Sequence, residues 1–141
     1  MTLTIRPIRY PDEYPGVYAL WDRAGSGIHL GRTDQPEEMD KKIARDPDLF
    51  LVAEKDGRLV GAVLGGFDGR RGLVYHLAVD HNERRQGIGD ELMRELEQRF
   101  RQKGCRRYYL LVTWDNPEAI QFYERSGAKR MDLAIFGKDL D

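Results

Sequence analysis

LVYHLAVDHNERRQGIGDELMRELEQRFRQK, running from Leu73 to Lys103, passes from an apolar strand-like run through a short charged loop into an amphipathic helix. The loop carries Arg84, Arg85, Gly87 and Gly89, and the helix places Ile88, Leu92, Leu96 and Phe100 on one stripe that Met93 widens. A strand that ends in a glycine-bearing turn opening a helix is a general device for holding phosphate. Free backbone N–H groups and the positive end of the helix dipole converge there. Gly104 is a natural stop for this helix.

Upstream of this stretch, Leu49–Glu54 reads as a strand, Asp56-Gly57 as a tight hairpin turn and Leu59–Phe67 as the returning strand. Gly61, Gly65 and Gly66 in that return permit a bulge or a close neighbour. The DGRRG turn from Asp68 to Gly72 then leads into the strand Leu73–Val79. Further back, Thr2–Ile8 alternates like a half-buried strand. Val17, Leu20, Trp21 and Ala24 recur at helical spacing in a helix ending near Gly25. Ser26–Pro36 reads as a loop and Glu37–Arg45 as a second helix, with Asp34 near its cap and Met39 and Ile43 inward. Downstream, Arg107–Thr113 is an apolar strand. Asn116 and Pro117 open a helix carrying Ala119, Ile120 and Tyr123, and Lys129–Gly137 reads as a closing strand.

The expected order is β-α-α-β-β-β-α-β-α-β. A meander followed by a strand–helix–strand crossover gives an α/β (α+β) domain with a central mixed, mostly antiparallel sheet flanked by helices. The 141 residues suit one domain, 1–141, with one core. A composition 40% hydrophobic and 33% charged fits a water-soluble globular chain. The net charge of -1, from 23 basic and 24 acidic residues, points away from nucleic acid, so any anion site must be local. A single cysteine, Cys105, offers neither a disulfide nor a metal quartet and suits a reducing, cytoplasmic setting. No signal peptide or bilayer-spanning run is apparent, so no membrane partner is expected.

Two motifs carry a family resemblance. Arg84-Arg85-Gln86-Gly87-Ile88-Gly89 fits the pattern Gln/Arg-x-x-Gly-x-Gly/Ala and follows Leu77-Ala78-Val79. Asn116 to Gly127, NPEAIQFYERSG, fits Asn-x-x-Ala-x-x-Phe-Tyr-x-x-x-Gly. With both motifs in order, the chain resembles the GCN5-related N-acetyltransferases (GNAT). Within them, DLFLVAE, GRLVG and GGFDGRRG are similar to the small bacterial YpeA-like members. The resemblance implies an acetyl-CoA-dependent N-acetyltransferase acting on a primary amine of an unidentified acceptor, a small molecule or a protein, with no metal. Backbone of Leu77, Ala78 and Val79 would pair with the pantetheine arm, and the amides from Arg85 to Asp90, with the charge of Arg84 and Arg85, would hold the pyrophosphate. Gln86, Ile88, Ala119 and Phe122 fall within the same cofactor motifs, with Asn116 and Tyr123 beside the arm and the sulfur. Tyr123 occupies the position of the acid that protonates the departing thiolate, and the Val79 N–H that of the oxyanion donor.

Direct transfer needs a base, because a lysine-like ammonium of pKa about 10.4 is about 99.9% protonated at pH 7. Relatives that carry Glu or His on this strand place it two or four residues before the Leu-Ala-Val triplet, where this chain has Tyr75 and Leu73. Strand alternation turns His76 to the face opposite Tyr75 and Leu77 unless a bulge rotates it. Glu54, Asp68, His29 and Asp115 stay open as water-mediated candidates, and the base is unassigned. Simpler readings stand beside these: solvated arginines in an ordinary turn, Asn116 as a helix cap, Tyr123 as an amphipathic aromatic and Cys105 as core packing. Tyr10, Tyr14, Tyr18 and Trp21 read as a packed helix face. A non-catalytic acyl-CoA-binding module, or transfer of another short acyl group, are the alternatives, and an exposed last strand would offer an edge to a second copy in a homodimer.

Overall fold

A computed structural model describes residues 2–24 and 28–141. Nine helices and strands follow in order: β1 (Leu3–Pro7), α1 (Tyr14–Asp22), α2 (Pro36–Arg45), β2 (Phe50–Lys55), β3 (Arg58–Phe67), β4 (Gly72–Val79), α3 (Ile88–Gln102), β5 (Tyr108–Leu110) and α4 (Pro117–Arg125). Short 3₁₀ turns at Arg32–Asp34 and His81–Glu83 complete the described structure. The expected end of the first helix near Gly25, and Ser26 at the start of the following loop, lie outside the described residues.

The strands form one sheet in the order β1-β2-β3-β4-β5, antiparallel up to β4 and parallel between β4 and β5. This is the mixed, mostly antiparallel sheet that the element order implies. Its centre is buried on both faces, which explains why β2 reads as the unbroken apolar run Phe50-Leu51-Val52-Ala53. Leu51 and Ala53 join Val60, Val63, Val74 and the α3 stripe of Ile88, Leu92, Leu96 and Phe100 on one side. Phe50 and Val52 join Ala62, Leu64 and the α1–α2 residues Val17, Leu20, Trp21 and Met39 on the other.

Two glycines bring α3 down onto β3. A Cβ at Gly61 would lie 3.0 Å from Leu92 Cδ1, and one at Gly65 only 2.7 Å from Leu96 Cδ1. These leucines are one helical turn apart, so both must sit directly over glycine backbone for the helix to pack. The β3–β4 reversal is closed by Asp68, whose carboxylate accepts from the Arg70 and Arg71 N–H groups at 2.7 and 2.8 Å. Cys105 is buried and donates to the Arg107 carbonyl (3.3 Å), as the packing role requires.

Three expectations are corrected. Lys129–Gly137 forms no strand: residues 128–141 have no regular structure, and Leu133, Ile135 and Phe136 are exposed. Alternation of apolar residues expresses a preference for a two-sided environment, but a ladder needs an edge to pair with, and β5 is three residues long. The paired edge imagined for a second copy is therefore not formed. Arg107–Thr113 contracts to Tyr108–Leu110, with Leu111 and Trp114 in solvent. Finally, Asp34 does not cap α2, whose N-cap is Gln35. It is buried in the preceding turn, where its carboxylate accepts from the Gly31 N–H (2.9 Å).

Candidate active site

β4 pairs with β3 from Gly72 to Val79 but with β5 only through Gly72, Leu73 and Val74. From Tyr75 onward its outer edge has no strand paired to it among the described residues. The Asp80 N–H donates to the Val60 carbonyl in β3 (2.8 Å). Successive peptide groups of an extended strand point to alternate sides, so the Val79 N–H faces the open side. Val79 also borders a cavity of about 230 Å³ that Leu20, Arg23, Ala24 and the segment Asp80 to Asn82 complete.

A bulge sits in this open stretch. Ala62 faces Ala78 while Leu64 faces Tyr75, so β4 holds one residue more than β3. His76 absorbs the mismatch with φ of 39°, a left-handed conformation that costs a non-glycine residue about 1–3 kcal/mol. The expected alternation therefore holds between His76 and Leu77 and fails between Tyr75 and His76. Leu77 and Val79 pack toward α3 and Ala78 toward α1 and α2. His76 turns to the second side, its ring 4.9 Å from that of Trp21 and its Nε2 2.9 Å from Asp34 Oδ1. Tyr75 lies on that side too, where a Cβ on Gly66 would meet both it and Lys42 of α2.

Beyond Val79, the loop to α3 is fastened from beneath. Asp80 accepts from the Asn82 N–H (3.1 Å) and pairs with Arg23 of the α1 C-terminus (3.2 Å). Glu83 is buried and pairs with Lys55 (2.7 Å) and Arg58 (3.1 Å) from the β2–β3 hairpin. Those bonds hold its carboxyl below the ordinary range. Lys55 also donates to Gln86 Oε1 (2.8 Å), which turns the Gln86 side chain inward as an anchor. Sequence reading missed Lys55, Arg58 and Glu83; the only hint was a lysine closing an otherwise apolar strand.

The anchored loop turns through left-handed residues at Arg85 (φ 66°) and Gly87 (φ 78°) and enters α3. The Glu91 N–H is the first to reach back, to the Gly87 carbonyl (3.0 Å). Those of Ile88, Gly89 and Asp90 before it find no acceptor among the described residues, as at any helix start. The side chains of Arg84 and Arg85 are exposed; Arg84 reaches the Val79 carbonyl (3.4 Å) and stands 3.8 Å from Glu118. Asn116 caps α4, its Oδ1 accepting from the Ala119 N–H (3.2 Å). Phe122 packs over the loop, since a Cβ on Gly89 would lie 3.4 Å from its ring and 3.8 Å from Val79 Cγ2. Tyr123, edge-on to Phe122, is pushed well above the ordinary phenol value by burial, so it keeps its proton. Its hydroxyl has no hydrogen-bond partner among the described residues.

The end of β4, the start of α3 and Phe122 of α4 thus meet at one place, with Tyr123 packed beside Phe122 against the α3 side of the core. The remaining acid–base candidates are elsewhere or engaged. Glu54 is held by Arg6 (2.8 Å), Asp68 lies in the turn at the far end of β4, and Asp115 is bonded to Thr113, which His29 approaches at 3.5 Å. Among the described residues no cluster of three or more His, Cys, Asp or Glu is placed to hold a metal ion, and no helix is long and apolar enough to cross a membrane.

Residues 14–128 match the acetyltransferase (GNAT) family. The chain belongs to that family. An acetyltransferase of Pectobacterium atrosepticum is 38% identical over 92% of this chain and 90% of its own length. Among solved structures, Ard1 of Thermoplasma volcanium superposes with a TM-score of 0.78 at 26% identity, covering 90% of this chain and 82% of its own. The NatC complex bound to Gag peptide and coenzyme A gives a TM-score of 0.80 at 20% identity, covering 94% and 87%, a likeness of fold. As a GNAT protein the chain is an acyltransferase.

Proposed function

We propose that this acyltransferase moves an acetyl group from acetyl-CoA directly to a primary amine, as one domain over residues 1–141. The observation that carries the reading is the unpaired β4 edge from Tyr75 to Val79 leading straight into the free amides of Ile88, Gly89 and Asp90. An amide-bearing arm ending in a pyrophosphate fits such a track: the edge offers alternating donors and acceptors, and the helix start offers convergent donors with Arg84 and Arg85 above them. Coenzyme A is that kind of molecule, and the NatC relative of the same fold binds it.

Acetyl-CoA supplies an activated carbonyl and a good leaving group. The chain supplies the rest. The Val79 N–H, on the free edge of β4, would donate to the carbonyl oxygen as negative charge develops on it. Tyr123, kept protonated by burial, gives its proton to the sulfur as the C–S bond breaks. Asn116 and Ala119 hold the start of α4, which sets where Tyr123 stands. Asp90 and Glu91 favour the helix dipole and oppose the phosphates, a compromise that the two arginines offset.

The test is a free-thiol assay with acetyl-CoA against a broad panel of amines, run beside Tyr123→Phe. General acid catalysis contributes about 10²–10⁴-fold, so the variant should lose turnover on that scale while binding coenzyme A as the parent does. Unchanged turnover removes Tyr123 from the role. Saturable coenzyme A binding with no thiol release for any amine identifies an acyl-CoA-binding module instead, and propionyl-CoA in place of acetyl-CoA tests the donor.

A further inference from the structure

The acyltransfer reading leaves the proton of the incoming ammonium without a destination, and on that reading we propose that His76, oriented by Asp34, receives it. Position comes first. His76 occupies the bulge of β4, within the edge that β5 leaves unpaired and three residues before Val79. The left-handed backbone at His76 takes up the extra residue, so Tyr75 and His76 both lie on the α1–α2 side while His76, Leu77, Ala78 and Val79 alternate in the ordinary way.

Orientation comes next. Asp34 is 5% exposed, and both of its carboxylate oxygens are engaged, Oδ2 by the Gly31 N–H (2.9 Å) and Oδ1 by His76 Nε2 (2.9 Å). Its main-chain carbonyl accepts from the Tyr14 hydroxyl, so the turn that carries it is fixed from α1 as well. A carboxylate only accepts hydrogen bonds, so the hydrogen of the neutral imidazole lies on Nε2, and Nδ1 carries the bare lone pair. Among the described residues nothing bonds to Nδ1, and the side chain is 19% exposed, so part of it meets solvent. The Trp21 ring packs against the imidazole at a tilt of 61°. The pair therefore has a tautomer suited to accepting a proton, and an adjacent carboxylate that stabilises the imidazolium once it forms.

The step balances. The acceptor ammonium gives one proton to His76 Nδ1, directly or through one water, and becomes a neutral amine. Its lone pair forms the C–N bond as the C–S bond breaks. The second proton lost from nitrogen replaces the one that Tyr123 delivers to the thiolate, and His76 returns the first to solvent. Amide, thiol and one released proton are the products.

The experiment uses the whole chain with an amine that the parent turns over in the thiol assay. His76→Gly suits the backbone, because glycine takes φ of 39° without strain; His76→Gln keeps a group able to donate to Asp34. Both variants should bind coenzyme A within twofold of the parent and melt as sharply, while kcat falls by about 10²-fold or more. Added imidazole should restore part of the turnover of His76→Gly. Asp34→Asn, which offers Nε2 a donor in place of an acceptor, should lower kcat with coenzyme A affinity unchanged. A folded, coenzyme-A-binding His76→Gly or His76→Gln that keeps kcat within threefold of the parent overturns the proposal, and so does a loss traced to coenzyme A binding or melting alone. Failure of the parent itself to release thiol with any amine overturns the acyltransfer reading beneath it, a result distinct from either.

Discussion

At the residue scale the two loop glycines do different work. Gly87 has open space around its would-be Cβ but sits at φ of 78°, whereas Gly89 lies under the Phe122 ring. Gly87→Val forces a left-handed conformation that costs an L-residue about 1–2 kcal/mol. It should weaken coenzyme A binding by about tenfold as the loop relaxes. Gly89→Val adds a methyl-bearing Cβ beneath Phe122, so its melting temperature should fall as well; calorimetric titration and a thermal melt separate the two effects. Lys55→Met leaves Glu83 with only Arg58 and releases Gln86. Its expected outcome is a lower melting temperature and several-fold weaker coenzyme A binding, though neither Lys55 nor Glu83 lies on the free edge of β4. The glycines were legible because a turn before a helix has a local pattern. The Lys55–Glu83 pair was not, because its members are 28 residues apart and only the folded hairpin brings them together.

At the element scale, the seat of α3 on β3 links packing to the site, since the free amides belong to the first turn of α3. Gly65→Ala puts a Cβ 2.7 Å from Leu96 Cδ1 and 3.3 Å from the Leu49 carbonyl, an overpacking expected to cost about 1–3 kcal/mol. Leu96→Ala alone should cost about 2–5 kcal/mol through the cavity it leaves. The double variant should lose less than the sum, because each change makes room for the other; denaturant titration of the four proteins measures the coupling. The α3 stripe and the β2–β3–β4 meander could be read from periodicity, since their burial is continuous. Periodicity failed where pairing decides. At His76 one extra residue shifts the phase of β4, and at 129–137 an apolar alternation finds no edge to join.

At the scale of the whole molecule, acid should loosen the joints between elements before it reaches the core. The Glu13 carboxyl is held below its ordinary range by Arg6, that of Glu83 by Lys55, and that of Asp80 by the Asn82 N–H. A depressed folded-state pKa gives stability that is present above the unfolded value and lost as pH falls through the folded one. The melting temperature should therefore hold from pH 7 to about 5 and decline below about 4, where unperturbed carboxylates protonate. Glu83→Gln should flatten part of that decline; melts recorded across the pH range with equal slopes in both proteins would refute the assignment. The mixed, mostly antiparallel character of the sheet and its flanking helices followed from element order, but the strand order and the point where β5 leaves β4 could be seen only in three dimensions.

That parting has a consequence for how the protein tolerates change. The edge from Tyr75 to Val79 is made of peptide groups, and nineteen of the twenty residue types present the same amide, so ordinary substitutions along it alter shape without erasing the donors. Proline alone deletes an N–H. Under the proposed function, a lineage of such chains could vary the side chains on the acceptor side widely and keep its donor, because the edge that would read the donor is written in the main chain.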